Sequence, residues 1–455
     1  MAGPPQGLWP PSRMGRPLTA ARCLTLLLAL GLLALPARAL VGTESRITET
    51  FGWEEQPHIQ GDRVVWADAS QGESEDIWMY EFDTGRRLRL SSSLSDEQSP
   101  HIYGDRVVWR QDEIYEDPNT GQISIRKRIA VHNLLAGQTT LAQDLAAGGF
   151  PGGVQQLPVI YGETLVWENN DGGRLDLYAM NLGSGLVLPI TNDDAIQTLP
   201  YISGNWIAYE EITSLTATDH NTDLWVYNLQ TSPPVRARVA GAPEWDELDP
   251  TIYGNTLVYS DYRDDPDGRI TEGGSTPDDD ADLYLVDLSP LLAGQPLGVA
   301  QPLVVRAGHQ EEPRLFSDRL VWRNFDPAAT TADLWTMDLR DREPEVLVDG
   351  PADLWEVQIW GDRIVWSDFR DDAYPDDEIH DYNIRAFCID QDTCGVFPEE
   401  IPLLLIAVGV LVVLVAAAAA IALFERRRQS RAAPEAPKAR ARKRKGKGPQ
   451  PKRAR

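Results

Sequence analysis

The strongest constraint on this chain is a phrase of about ten residues that returns seven times, an alternating run that in six copies opens on Pro and in all seven ends on Trp or Tyr. The copies are PHIQGDRVVW (57–66), PHIYGDRVVW (100–109), PVIYGETLVW (158–167), PYISGNWIAY (200–209), PTIYGNTLVY (250–259), PRLFSDRLVW (313–322) and VQIWGDRIVW (357–366). Apolar residues at alternate places mark strands, and the Gly-Asp or Gly-Asn in most copies supplies a tight turn tolerant of positive φ. Each copy is therefore a β-hairpin. A matching third strand follows, as in DIWMYEFDTG (76–85), DLYAMNL (176–182) and DLWTMDL (333–339). Six units continue into a fourth, at 86–90, 139–142, 186–191, 235–239, 302–305 and 344–348.

The seventh unit leaves little room for a fourth strand, whereas SRITE (45–49), ahead of the first phrase, is spaced as a fourth strand would be. Equivalent positions lie 43, 58, 42, 50, 63 and 44 residues apart. Four strands per unit, with the orphan strand at the opposite end, predict an all-β, seven-bladed β-propeller closed by its N-terminal strand, which leaves no open sheet edge. A six-bladed ring is the alternative. An open solenoid would need polar capping repeats, which the near-identical first and last copies are not.

The pattern P-x-I-x-G-D-x-V-V-W followed by D-I-W-x-Y-x-x-x-T-G resembles the TolB-like propeller repeat over about residues 45–390. TolB itself is known as a six-bladed, soluble periplasmic protein with an additional N-terminal α/β domain. The present chain departs from it in copy number, in having no helical stretch before the repeats and in carrying a candidate anchor, so the resemblance is confined to the repeat.

Charge divides the chain into three. The total is -27, but residues 40–424 hold 67 acidic against 24 basic side chains, whereas residues 425–455 hold 14 basic and two acidic ones. Residues 1–39, with four Arg, an apolar run at 23–35 and the small-x-small site Ala37-Arg38-Ala39, read as a secretory signal peptide, with an uncleaved anchor as the alternative. Residues 401–424 form an apolar stretch that, at 1.5 Å rise per residue, matches ~30 Å of hydrocarbon. Arg426, Arg427 and Arg428 follow it and place the tail in the cytoplasm. The expected order is thus signal peptide 1–39, extracytoplasmic propeller 40–397, transmembrane helix 401–424 and a disordered basic tail 425–455 that lies on the anionic inner leaflet. The expected location is the cell membrane, as a single-pass protein.

Cys388 and Cys394 remain once Cys23 leaves with the signal peptide, and an oxidising compartment predicts a disulfide between them, worth about 2 kcal/mol for so short a loop.

Chemistry is thinly marked. No Gly-x-Ser-x-Gly elbow occurs, and no segment of a few hundred residues follows the repeats, so a prolyl-oligopeptidase-like enzyme is not expected. His58 and His101 share one repeat position, which argues for a structural role. Asp264, Asp265 and Asp267 in the long acidic insertion 261–282 are candidate Ca²⁺ ligands, since Ca²⁺ takes six to eight oxygens, although the EF-hand pattern fails at Arg263 and Gly274. Asp261 with Arg263, and Asp368 with Arg370, predict ion pairs that close their loops. Trp66, Trp109, Trp167, Trp322 and Trp366 stand in repeat register as core, while Trp53, Trp245 and Trp355 are the Trp candidates for exposure. The acidic surface repels nucleic acid, so none is expected as a partner. No catalytic residue is assigned. The chain reads as a binding or scaffold module for an envelope protein or glycan; the alternative is an envelope hydrolase or lyase using channel-facing carboxylates, with or without Ca²⁺.

Overall fold

The computed structural model describes residues 42–48, 52–70, 74–116, 118, 120–216, 219–241, 245–265, 280–325, 331–349, 354–368, 370 and 382–390, all within one compact unit, Met1–Pro398. The expected signal peptide 1–39, membrane span 401–424, tail 425–455, Asp267 and Cys394 lie outside the described residues. Among the described residues no helix is long and apolar enough to cross a membrane.

Seven four-stranded antiparallel sheets follow one another along the chain. The first blade is β2 (Glu54–Gln60), β3 (Arg63–Asp68), β4 (Asp76–Glu81) and β5 (Arg86–Arg89); the second is β6 (Glu97–Tyr103), β7 (Arg106–Glu116), β8 (Ile123–Asn133) and β9 (Gln138–Leu141). The third to sixth begin with the innermost strands β10 (Val154–Tyr161), β14 (Ile196–Ser203), β18 (Glu247–Tyr253) and β22 (His309–Phe316). The seventh consists of β26 (Leu354–Trp360), β27 (Arg363–Asp368), β28 (Asn383–Cys388) and, from the other end of the described chain, β1 (Thr43–Arg46). The sequence therefore predicts blade number and closure correctly, and the six-bladed alternative falls.

Closure sits two residues earlier than expected. Thr43 pairs with Cys388 and Arg46 with Arg385, after which the chain turns inward: the Ile47 amide donates to the Ile384 carbonyl at 2.8 Å, and Ile47 is buried against the first blade. Ile47 and Thr48 of the expected strand thus lie past its end, and position 49 lies outside the described residues.

The V-V-W runs bury both faces because each blade has a neighbour on either side, the pattern expected of strands covered on two sides. Val64 and Trp66 pack toward Ile384 and Ala386 of the seventh blade, while Val65 and Ala67 pack against Ile102, Val107 and Trp109 of the second. All five register Trp residues are at most 1 % exposed. At ~25 cal/mol per Å² over ~200 Å², each contributes roughly 5 kcal/mol of transfer free energy. Of the three candidates for exposure, Trp53 and Trp355 are exposed and Trp245 is half-buried.

Candidate functional site

The seven innermost strands line a central channel, and each does so with three side chains of the repeat: the residue before the Pro position, the one after it and the one two places further on. In every blade the first of these forms a bulge. The ladder slips between Glu55 and His58, for example, so that Gln56 and Pro57 together oppose Trp66. The residues before the Pro position, Gln56, Ser99, Leu157, Leu199, Asp249, Glu312 and Glu356, all have φ between 45° and 58°. Pro has no N–H to give a ladder, which suits a bulge, but left-handed backbone at a residue other than Gly costs on the order of 1 kcal/mol each.

What holds these bulges is a relay from blade to blade. The Gln56 amide donates to Glu356 Oε2 at 2.5 Å, Ser99 N to Gln56 Oε1 at 2.5 Å, Asp249 N to Glu210 Oε1 at 2.9 Å, Leu199 N to Glu168 Oε1 at 2.8 Å and Glu312 N to Asp249 Oδ2 at 3.3 Å. Where the bulge residue is Leu and has no acceptor, the same blade supplies one from its second strand. Glu168 and Glu210 both follow the buried aromatic of the repeat, Trp167 and Tyr209.

One layer deeper stand His58, His101, Val159, Tyr201, Thr251, Arg314 and Gln358. His58 Nδ1 accepts from the Ile102 amide and His101 Nδ1 from the Ile160 amide, each at 3.2 Å, and Thr251 Oγ1 accepts from Leu315 N at 3.1 Å. The two imidazoles stack with ring centroids 3.4 Å apart. Burial, and secondarily the Arg314 charge, push His58 down to about 3; burial and then His58 hold His101 well below the usual range. Both rings are neutral inter-blade acceptors, the structural role their matched positions predict.

The third layer, Gln60, Tyr103, Tyr161, Ser203, Tyr253, Phe316 and Trp360, rings the far end, where all but Gln60 line a smaller cavity of about 250 Å³. Ring centroids lie 4.4 Å apart for Tyr103 and Tyr161, 4.7 Å for Phe316 and Trp360 and 5.1 Å for Tyr253 and Phe316. Tyr103 also meets Trp360 at 6.2 Å, across the gap left by Gln60 of the first blade.

The opposite end opens into a cavity of about 370 Å³ with a divided wall. Glu210, Asp249, Glu312 and Glu356 come from the fourth to seventh blades, Leu157 and Leu199 from the third and fourth. Burial, then the Asp249 charge, raises Glu210; burial, then the Glu312 charge, raises Asp249, with Arg314 opposing that rise. Glu356 is pushed up to about 7, first by burial. Sequence reasoning looked for acids in the loops and missed these; the available signal was three acids, Asp249, Glu312 and Glu356, at one repeat position in successive blades.

The loop acids stand apart. Asp265 Oδ2 accepts from the Asp280 amide at 2.9 Å, and Asp264 and Asp280 lie close enough to help hold Asp282 up at about 7, after burial. Among the described residues no group of three or more His, Cys, Asp or Glu is placed to hold a metal. Arg263 pairs with Asp261 at 2.5 Å and Arg370 with Asp368 at 2.6 Å, the loop closures expected. Cys388 is buried and disulfide-bonded.

On the mouth side of the second blade, β7 and β8 run on as a long hairpin. Register places Ile114 opposite Ile125, with Ile123 two residues along, so three exposed isoleucines share one face.

The chain matches no family model and no curated protein sequence. Among solved structures it is similar to a prolyl endopeptidase from a structural and mechanistic study of two such enzymes, at 14 % identity and TM-score 0.50 over 77 % of this chain and 51 % of that one. It is likewise similar to puromycin hydrolase, at 14 % identity and TM-score 0.50 over 70 % and 53 %. This chain is a β-propeller. It spans about half the length of each of those two proteins, and the likeness is one of fold. TolB from Acinetobacter baumannii also matches, at 15 % identity and TM-score 0.40 over 66 % of this chain and 67 % of that one.

Proposed function

We propose that this chain is a binding or scaffold module that holds another envelope component, protein or glycan, at the open channel mouth. In this reading residues 401–424 anchor it in the cell membrane, the propeller faces out, and the basic tail lies on the anionic inner leaflet. The supporting observation is the mouth itself. The middle layer is occupied by inter-blade bonds and the far end narrows to about 250 Å³ walled by aromatic rings, whereas the mouth keeps the larger volume, about 370 Å³, edged by repeat-equivalent side chains. A concave, partly apolar cavity with a few convergent polar groups is the usual form of a ligand site. The exposed isoleucine face beside it adds contact area of the kind that marks interaction surfaces.

Converging carboxylates favour a second reading, an envelope hydrolase or lyase. Its weakness is that both channel imidazoles are neutral and already accept backbone hydrogen bonds.

Capture of envelope extract on the purified chain, with and without Ca²⁺, tests the first reading. A component retained by the native chain and lost on Glu210→Gln plus Asp249→Asn supports it; nothing retained under either condition rejects it. A retained component returned cleaved would establish the second.

A further inference from the structure

The divided wall of the mouth says what kind of group it takes. Glu210 is 4 % exposed and lines the cavity; its Oε1 accepts the Asp249 amide, and among the described residues its Oε2 accepts no hydrogen bond. Glu312 pairs through Oε1 with Arg323 at 3.1 Å, and among the described residues its Oε2 accepts no hydrogen bond. An ionised carboxylate oxygen only accepts, and burial with the Asp249 charge disfavours that form at Glu210, so what is missing is a donor carrying positive charge, which would hold Glu210 ionised. Among the described residues no metal-holding group stands here; the Arg314 charge one layer deeper acts on Asp249 and leaves Glu210 the better place for a donor. Across from the acids, Leu199 is 48 % exposed at φ 48°, an apolar side chain in the left-handed region that neither water nor backbone favours. An apolar body lying on Leu199 and Leu157 would bury it, and about 370 Å³ is the small end of the range for ligand sites.

We propose that the mouth binds a primary ammonium group carried on a small apolar body, the ammonium on Glu210, Asp249 and Glu312 and the body on Leu157 and Leu199. The inference rests on the mouth being the binding site and adds the chemistry of the ligand. An apolar aminoacyl group with a free amine fits both arcs of the wall, whereas an amino sugar fits only the acidic one.

Calorimetric titration of the full chain at low salt, with leucinamide, N-acetyl-leucinamide, glycinamide and glucosamine, tests this. Leucinamide is expected to bind, with the acetylated compound weaker by about tenfold or more because the charged donor is gone. Glycinamide and glucosamine should be several-fold weaker than leucinamide. Glu210→Gln, which keeps the bond to Asp249 N, should weaken leucinamide about tenfold; Leu199→Ser should weaken leucinamide but leave glycinamide unchanged. Circular dichroism of both variants establishes that they fold.

No binding by any probe, or equal binding of the acetylated one, overturns the proposal. Glucosamine matching leucinamide overturns its apolar half. Should the native chain capture an envelope component that leucinamide does not displace, the ammonium inference fails while the binding function stands; no capture at all rejects the function itself.

Discussion

The two ends of the channel are made by the same seven strands, four positions apart in one repeat, and they are built on opposite terms. At the collar, Tyr103, Tyr161, Tyr253, Phe316 and Trp360 meet ring to ring around a cavity of about 250 Å³ in ordinary strand backbone, and those ring contacts stabilise the fold. At the mouth, every blade carries a residue with positive φ, most of them with a side chain that would rather be elsewhere: acids out of water, leucines in it. Stability is concentrated at one end and given up at the other, the distribution expected when one end is the fold and the other is the site.

The largest effect should come from emptying the collar. Trp360→Ala removes contacts to both Phe316 and Tyr103 and should lower unfolding free energy by about 3 kcal/mol in urea melts; a loss below ~1 kcal/mol would mean that the collar is not packed as described.

The pH dependence should come next, with the layers opposed. Glu356, raised to about 7, holds its proton more tightly folded than unfolded, so its contribution is complete below pH 4.5 and is lost as pH rises through about 7. Glu210 acts in the same sense. His58, lowered to about 3, contributes fully above pH 6.5, and that stability is lost as pH falls toward 3. Stability should therefore drop on the order of 2 kcal/mol between pH 5 and 8. Glu356→Gln should flatten that limb, and His58→Asn the acid limb; melts of each variant across pH read the two slopes separately.

A smaller effect carries the opposite sign from the collar. Leu199→Gly relieves a left-handed residue and removes an exposed side chain, and should raise stability by about 1 kcal/mol. Destabilisation instead would show that Leu199 is packed, against the contrast drawn above. Smallest is the relay: Gln56→Ala deprives the Ser99 amide of its acceptor and should cost about 0.5–1 kcal/mol, with faster hydrogen exchange at Ser99 as the readout.

The same contrast explains what the residues disclose in advance. Blade number and the role of the register Trp follow from apolar alternation, because a strand between two blades has only one way to bury V-V-W. Closure follows from an orphan strand. The mouth was hidden by the bulge: the residue before Pro reads as one more place in an alternating strand, and only the slip opposite Trp66 and its equivalents sets its backbone in the left-handed region. That Glu168 supplies the acceptor Leu157 lacks, and Glu210 the one Leu199 lacks, was hidden for a related reason. The bond runs from the second strand of one blade to an amide of the next, a relation with no fixed spacing along the chain.

In the pairing of Thr43 with Cys388 and Arg46 with Arg385, the chain enters and leaves the ring at the same end of two adjacent strands. Tension between those two ends would meet one residue pair at a time, the loading in which a ladder peels apart instead of shearing. A pull passed from a cargo on the mouth to a single terminus never crosses that pair. The wheel should thus bear traction through one end and come open when stretched between both.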